Sequence, residues 1–204
     1  MPDAREQILS RVKQALAPLK ERAPNPPWSK DLPVLTAAIQ ADDLWALFAQ
    51  RLTAVNGLAL VGVAAAVSHL RERKALHGYC DPALWPELQA AFGPDFTVET
   101  SFDRSRVDDY QFGLTRAAGA VAETGSLILT DRGTSSRLGA LAPWIHIAAV
   151  KRPEVVRTVG DAVAMLGDDP NVIWVTGPSK TADVEGILIE GVHGPGEQIA
   201  LLVE

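Results

Sequence analysis

A single cysteine, Cys80, stands in the 204 residues. One thiol excludes an intrachain disulfide. It also excludes a self-contained iron–sulfur cluster or zinc site held by four cysteines, so any cluster must belong to a partner. Long apolar runs are missing too: none approaches the roughly 20 residues needed to span a bilayer, and the N-terminus has no apolar segment of the signal-peptide kind. The expectation is a cytoplasmic protein with no integral membrane segment. Basic residues are not in excess, with 19 Lys and Arg against 25 Asp and Glu and a net charge of -6. The densest basic run is Arg71-Glu72-Arg73-Lys74, which suits a solvated helix C-terminus better than a polyanion track, and no nucleic-acid partner is expected. Neither GxGxxG nor GxxxxGK[ST] occurs after a strand, and Thr124-Gly125-Ser126 does not make a GxSxG elbow. Glu123, His146, Asp183 and His193 supply nitrogen and oxygen donors, but without a close spacing such as HxxxH no metal site is expected.

What is present describes a folding chain. With 47% hydrophobic and 22% charged residues, it is ordinary for a globular protein of one-domain size. Asp3 caps a first helix in which Ile8, Leu9, Val12, Ala15 and Leu16 recur at helical spacing up to Pro18. A proline-rich connector follows, with Trp28 as a possible anchor, so residues 1–35 form a helical arm and residues 36–204 the main domain.

In the main domain, helix and strand patterns alternate. Asp42 or Asp43 opens a helix carrying Trp45, Phe48, Leu52 and Val55, and residues 58–63 are an apolar run typical of a strand covered on both faces. Residues 64–75 read as a helix, 78–80 as a short strand and 82–92 as a short helix. Further strands are expected at 96–100, 126–130, 145–150 and 171–176. Pro153 should start a helix through Leu166 with Val155, Val159, Ala162 and Val163 inward, and residues 199–203 should close the sheet. This alternation predicts an α/β fold, with a mixed, largely parallel sheet flanked by helices.

Two stretches concentrate the chemistry. In Ala120-Val121-Ala122-Glu123-Thr124-Gly125-Ser126 an acid interrupts an apolar run. Glu123 is either a catalytic carboxylate or an acceptor of backbone N–H bonds at a strand end. The second stretch, Gly177-Pro178-Ser179-Lys180-Thr181-Ala182-Asp183, follows a strand and should open a short helix bearing Val184, Ile187, Leu188 and Val192. Its backbone N–H groups, hydroxyls and lysine suit a phosphate or carboxylate, while Ser179, Thr181 and Asp183 equally suit helix capping. His146 lies on the strand face opposite Ile145 and Ile147, either toward a site or as a satisfied structural residue. His193, between Gly191-Val192 and Gly194-Pro195, is freer to meet a ligand.

Ala122-Glu123-Thr124-Gly125-Ser126, Pro143-Trp144-Ile145-His146-Ile147, the Gly177 stretch and Gly191-Val192-His193-Gly194-Pro195, taken in order, resemble the LUD domain family. The resemblance spans residues 37–204, and Ser126 stands where a second threonine is common. It implies a fold like the NagB/ribose-5-phosphate isomerase/CoA-transferase superfamily and a role in oxidising L-lactate to pyruvate. It further implies iron–sulfur partner proteins, with no cofactor in this chain. By analogy with related folds, Glu123 is the leading catalytic candidate. A small anionic ligand is then expected between the two turns, held by Thr124, Gly125, Ser126, His146, Gly177, Ser179, Lys180, Thr181, Asp183 and Gly194. Glu123 or His193 would handle a proton.

Overall fold

The structure is a computed structural model that describes residues 3–18, 40–134, 136–182 and 187–203. The chain divides into two units, 1–37 and 38–204. In the first, α1 (Ala4–Leu16) starts as expected at Asp3, whose side chain accepts from the Arg5 N–H. Trp28 and the proline-rich connector lie outside the described residues.

The second unit begins with α2 (Leu44–Ala54), capped by Asp43, whose Oδ1 accepts from the N–H groups of Trp45 (2.9 Å) and Ala46 (3.2 Å). Then come β1 (Leu58–Val61), α3 (Val63–Glu72), β2 (His77–Cys80), α4 (Trp85–Leu88), β3 (Thr97–Glu99), β4 (Phe112–Arg116), β5 (Gly119–Val121) and β6 (Ser126–Thr130). After α5 (Arg137–Leu141) follow β7 (Ile145–Lys151), β8 (Val155–Val156), α6 (Val159–Met165), β9 (Val172–Val175), β10 (Lys180–Ala182), β11 (Leu188–Glu190) and β12 (Glu197–Val203).

The mixed character resolves into separate sheets. Six strands in the order β1-β12-β7-β4-β2-β3 are parallel throughout. A second sheet, β8-β5-β6-β9, holds antiparallel pairs on either side of β6 and a parallel pair between β5 and β8. Strand alternation divides the parallel sheet between two cores. Phe112, Leu114, Ile145, Ile147, Ile199 and Leu201 pack toward α3 and α4. Ala148, Val150, Ala200 and Leu202 pack with Phe48 and Leu52 of α2 and with Leu127 and Leu129 of the second sheet. Ala162 of α6 covers that sheet's outer side through Val121 and Ile128.

Three local expectations are corrected. Pro153 belongs to a 3₁₀ turn, Arg152–Glu154, and α6 starts only at Val159. There Thr158 and Asp161 form a capping box, while the β-branched Val155 and Val156 pair with Ala120 and Val121, leaving Val163 exposed. Among the described residues the Gly177 stretch opens no helix: Lys180–Ala182 pairs antiparallel with Leu188–Glu190 as a ribbon. Ile187, Leu188 and Val192, whose helical spacing misled, are exposed, and Val184 lies outside the described residues. The expected helix over 82–92 shrinks to α4 and a 3₁₀ turn, Gln89–Ala91. The last strand joins the sheet as expected, with β12 inserted between β1 and β7.

Candidate functional site

The first predicted stretch is built around a turn between antiparallel strands. As β5 ends, the Glu123 N–H donates to the Arg157 carbonyl, and Glu123 Oε2 accepts from the Val159 N–H at 2.9 Å. Val159 is the first residue of α6, so the carboxylate sits at a helix N-terminus, where negative charge is favoured. Glu123 is half-buried and engaged in architecture.

From this turn a chain of hydroxyls runs inward. Thr124 Oγ1 bonds Ser126 Oγ at 2.7 Å, and Ser126 Oγ bonds Thr176 Oγ1 at 2.7 Å. Thr176 leads directly into Gly177, so the two predicted stretches are brought together. Both turns lie against the C-terminal half of α2. Gly125 (φ +70°) and Gly177 (φ +82°) adopt backbone that favours glycine, and a Cβ on either would meet Leu52 N at 2.4 Å or Val55 O at 2.5 Å. Lys180 Nζ donates to the Val55 carbonyl at 2.8 Å, with Glu190 Oε1 3.7 Å away. The lysine therefore satisfies a helix C-terminus. Ser179 bonds the Pro195 carbonyl through its N–H and Gly191 through its carbonyl, which brings Gly194 beside it. Thr181 is opposite Ile189 in the ribbon, and Asp183 lies outside the described residues.

His146 faces away from Ile145 and Ile147 as expected, but into the core. It is fully buried, with Thr115 Oγ1 2.9 Å from Nε2 and Gln198 Oε1 2.9 Å from Nδ1. Burial pushes its pKa down to about 4, against a smaller opposing effect of the Gln198 bond. His146 thus joins β4, β7 and β12 through polar contacts and, among the described residues, bonds to neither turn.

His193 is exposed on the loop between β11 and β12. The same loop walls a cavity of about 530 Å³ through Gly191 and Gly194. The cavity opens at the edge where β4, β7 and β12 begin, and its other lining includes Arg73, Asp108, Tyr110, Gln111, Trp144 and Glu197. Glu197 is held by His69 Nε2 (2.8 Å) and Arg73 Nε (2.9 Å). The Tyr110 hydroxyl donates to Glu99 Oε2 at 3.0 Å, and bonds from His77 and then Arg106 hold the Glu99 carboxyl below the usual range. Among the described residues no group of three His, Cys, Asp or Glu is placed to hold a metal ion.

Residues 63–203 match the LUD domain. This chain belongs to the LUD domain family. Lactate utilization protein C of Deinococcus radiodurans is 29% identical over 201 residues, covering 95% of this chain and 92% of that one. Its namesake from Bacillus licheniformis is 33% identical over 107 residues, covering 48% of this chain and 45% of the relative. A solved structure, a DUF162 family protein from Deinococcus radiodurans, aligns over 82% of this chain and all of its own with a TM-score of 0.60 at 21% identity, a likeness of fold.

Within this LUD domain, of the described residues expected at a site only Gly194 lines the cavity. Glu123, Lys180 and the hydroxyls gather along α2 instead. Sequence reasoning missed Arg73, Asp108, Tyr110, Gln111 and Glu197, which come from separate segments that only the strand order unites. Trp144 carried a signal, as a large aromatic inside the Pro143-Trp144-Ile145-His146 motif, and it is 53% exposed.

Proposed function

We propose that this chain serves L-lactate utilization as a component without a redox centre, acting beside iron–sulfur proteins that carry the electrons. The observation behind this reading is the likeness to lactate utilization protein C of Deinococcus radiodurans, which runs through nearly the whole of both chains. Oxidising lactate to pyruvate releases two electrons and two protons, and the electrons need an acceptor. The one thiol here is a poor cluster ligand: Cys80 is buried, and burial, with the Asp81 charge adding to it, pushes its pKa up to about 12. Electron transfer is therefore assigned to the partners. The resemblance of motifs also leads us to place the parallel sheet with the NagB/ribose-5-phosphate isomerase/CoA-transferase superfamily. In this proposal the turns at Glu123 and Gly177 serve as framework, because a small anion there would have to draw Lys180 away from the Val55 carbonyl and Glu190.

The test is co-purification from a native extract, with iron analysis and lactate-dependent dye reduction on the resulting complex. We expect iron and dye reduction in the complex, and neither in the purified chain alone. Turnover by the purified chain would instead make it an independent enzyme. A complex that keeps full activity after this chain is stripped away would also overturn the reading.

A further inference from the structure

We infer that the Trp144 cavity binds a planar heteroaromatic ring bearing N–H donors, stacked on the exposed indole. This goes beyond the lactate reading and does not depend on it. The first support is how Trp144 is held. Its six-membered ring lies close against backbone: a Cβ at Gly191 would come within 2.4 Å of the ring, and one at Gly196 within 2.2 Å. Glycine at both positions is what lets the ring lie there. The Trp144 carbonyl is also fixed, accepting from the Glu197 N–H at 3.0 Å. One side of the indole is thus seated, and Trp144, which lines the cavity, is still 53% exposed. A rigid, half-covered aromatic surface is pre-organised for stacking, which accepts any flat π-system.

The second support is the polar rim. Gln111 Oε1 accepts from the N–H groups of Leu76 (2.8 Å) and His77 (3.0 Å). That fixes the amide, and its Nε2 donor has no partner among the described residues. The Asp108 carboxylate and Trp144 Nε1 likewise have none. A ring carrying both N–H donors and lone-pair acceptors matches these groups.

The third is charge. One guanidinium, Arg73, faces two carboxylates, Asp108 and Glu197, which leaves one net negative charge on the lining. Arg73 is moreover committed to Glu197. Such a lining disfavours a small carboxylate and favours a neutral or cationic ring. Size agrees, since about 530 Å³ lies within the roughly 300–1,000 Å³ of sites for drug-sized ligands.

Isothermal titration calorimetry on the full chain tests this with adenosine and riboflavin as uncharged planar probes of two ring types, and D-ribose as the non-planar control. At least one ring probe should bind at millimolar concentration or below, and which one does distinguishes a purine from an isoalloxazine. Trp144→Ala should weaken that binding about tenfold or more, while Trp144→Phe keeps it within a few-fold. Asp108→Asn, on an exposed turn, should weaken it several-fold without disturbing the fold. Failure of both ring probes, equal binding of ribose, or unchanged affinity in Trp144→Ala would overturn the inference.

Discussion

His146 shows how a single residue, suited in sequence terms to catalysis, becomes a structural element. Gln198 Nε2 donates to the Ile199 carbonyl, which turns Oε1 toward the histidine and assigns the proton to Nδ1. Nε2 then accepts from the Thr115 hydroxyl, so the ring is neutral and satisfied at both nitrogens. Protonation would place a charge deep in the core with no anion among its two bonded partners, and burial accordingly lowers the pKa from 6.5 to about 4. The unfolded chain takes up a proton near 6.5 and the folded chain only near 4, so between those values the unfolded state binds more protons and stability rises with pH. The contribution is complete above about pH 6.5 and is lost as pH falls toward 4, amounting to up to about 3 kcal/mol. Urea unfolding at pH 4.5 and pH 7 should show a loss in this direction, part of it shared with carboxyls such as Asp95 and Asp131 whose partners lower their pKa. His146→Gln, which keeps an acceptor and a donor, should flatten the dependence between pH 5 and 6.5. An unchanged slope in that variant would show that the buried ring is not its source.

At the level of elements, short-range signals were legible where one local preference decided the outcome. Asp43 before a stripe of Trp45, Phe48 and Leu52 marks α2, and runs of apolar residues mark β6 and β7. They failed where two preferences coincided: residues 184, 187, 188 and 192 have helical spacing, yet ribbon pairing prevails at Lys180–Ala182 and Leu188–Glu190. The cavity was illegible for another reason, since residues near positions 73, 110, 144 and 197 meet only through the strand order β12-β7-β4-β2. Helix α6 illustrates a signal read too broadly. It spans seven residues, too few to persist by propensity, and depends on its first turn, where Thr158, Asp161 and Glu123 satisfy free N–H groups. Removing the Glu123 acceptor should cost about 1 kcal/mol, as losses of helix caps do. Guanidinium unfolding of Glu123→Ala should show that loss, and Glu123→Gln, whose amide oxygen can still accept from the Val159 N–H, should retain most of the stability. Equal stability of wild type and Glu123→Ala would remove this structural role.

Across the whole molecule, the order of strands makes the end of the chain its centre. The last strand, β12, pairs in parallel with β1 from the start of the second unit and with β7 from its middle, so neither neighbour completes its ladder until residues 197–203 are in place. Such pairings close long loops before they return any contact, which slows folding and makes the sheet an all-or-none structure. Burial points the same way. Ile199, Leu201 and Leu202 are fully buried, and at about 1.5–3 kcal/mol for each side chain they rival the roughly 5–15 kcal/mol that holds a typical domain together. They also lie on opposite faces, Ile199 and Leu201 toward the helices and Leu202 toward the second sheet, so their loss opens both cores. A chain ending at Gly196 should therefore show no cooperative thermal transition and no protected amides in β1 or β7. A chain beginning at Ala38 is the informative control: the described core clusters draw on residues from Leu44 onward and none from α1, so it should unfold cooperatively. Should the chain ending at Gly196 melt cooperatively with native-like exchange protection, β12 would be an appendage to a sheet that the earlier strands complete without it.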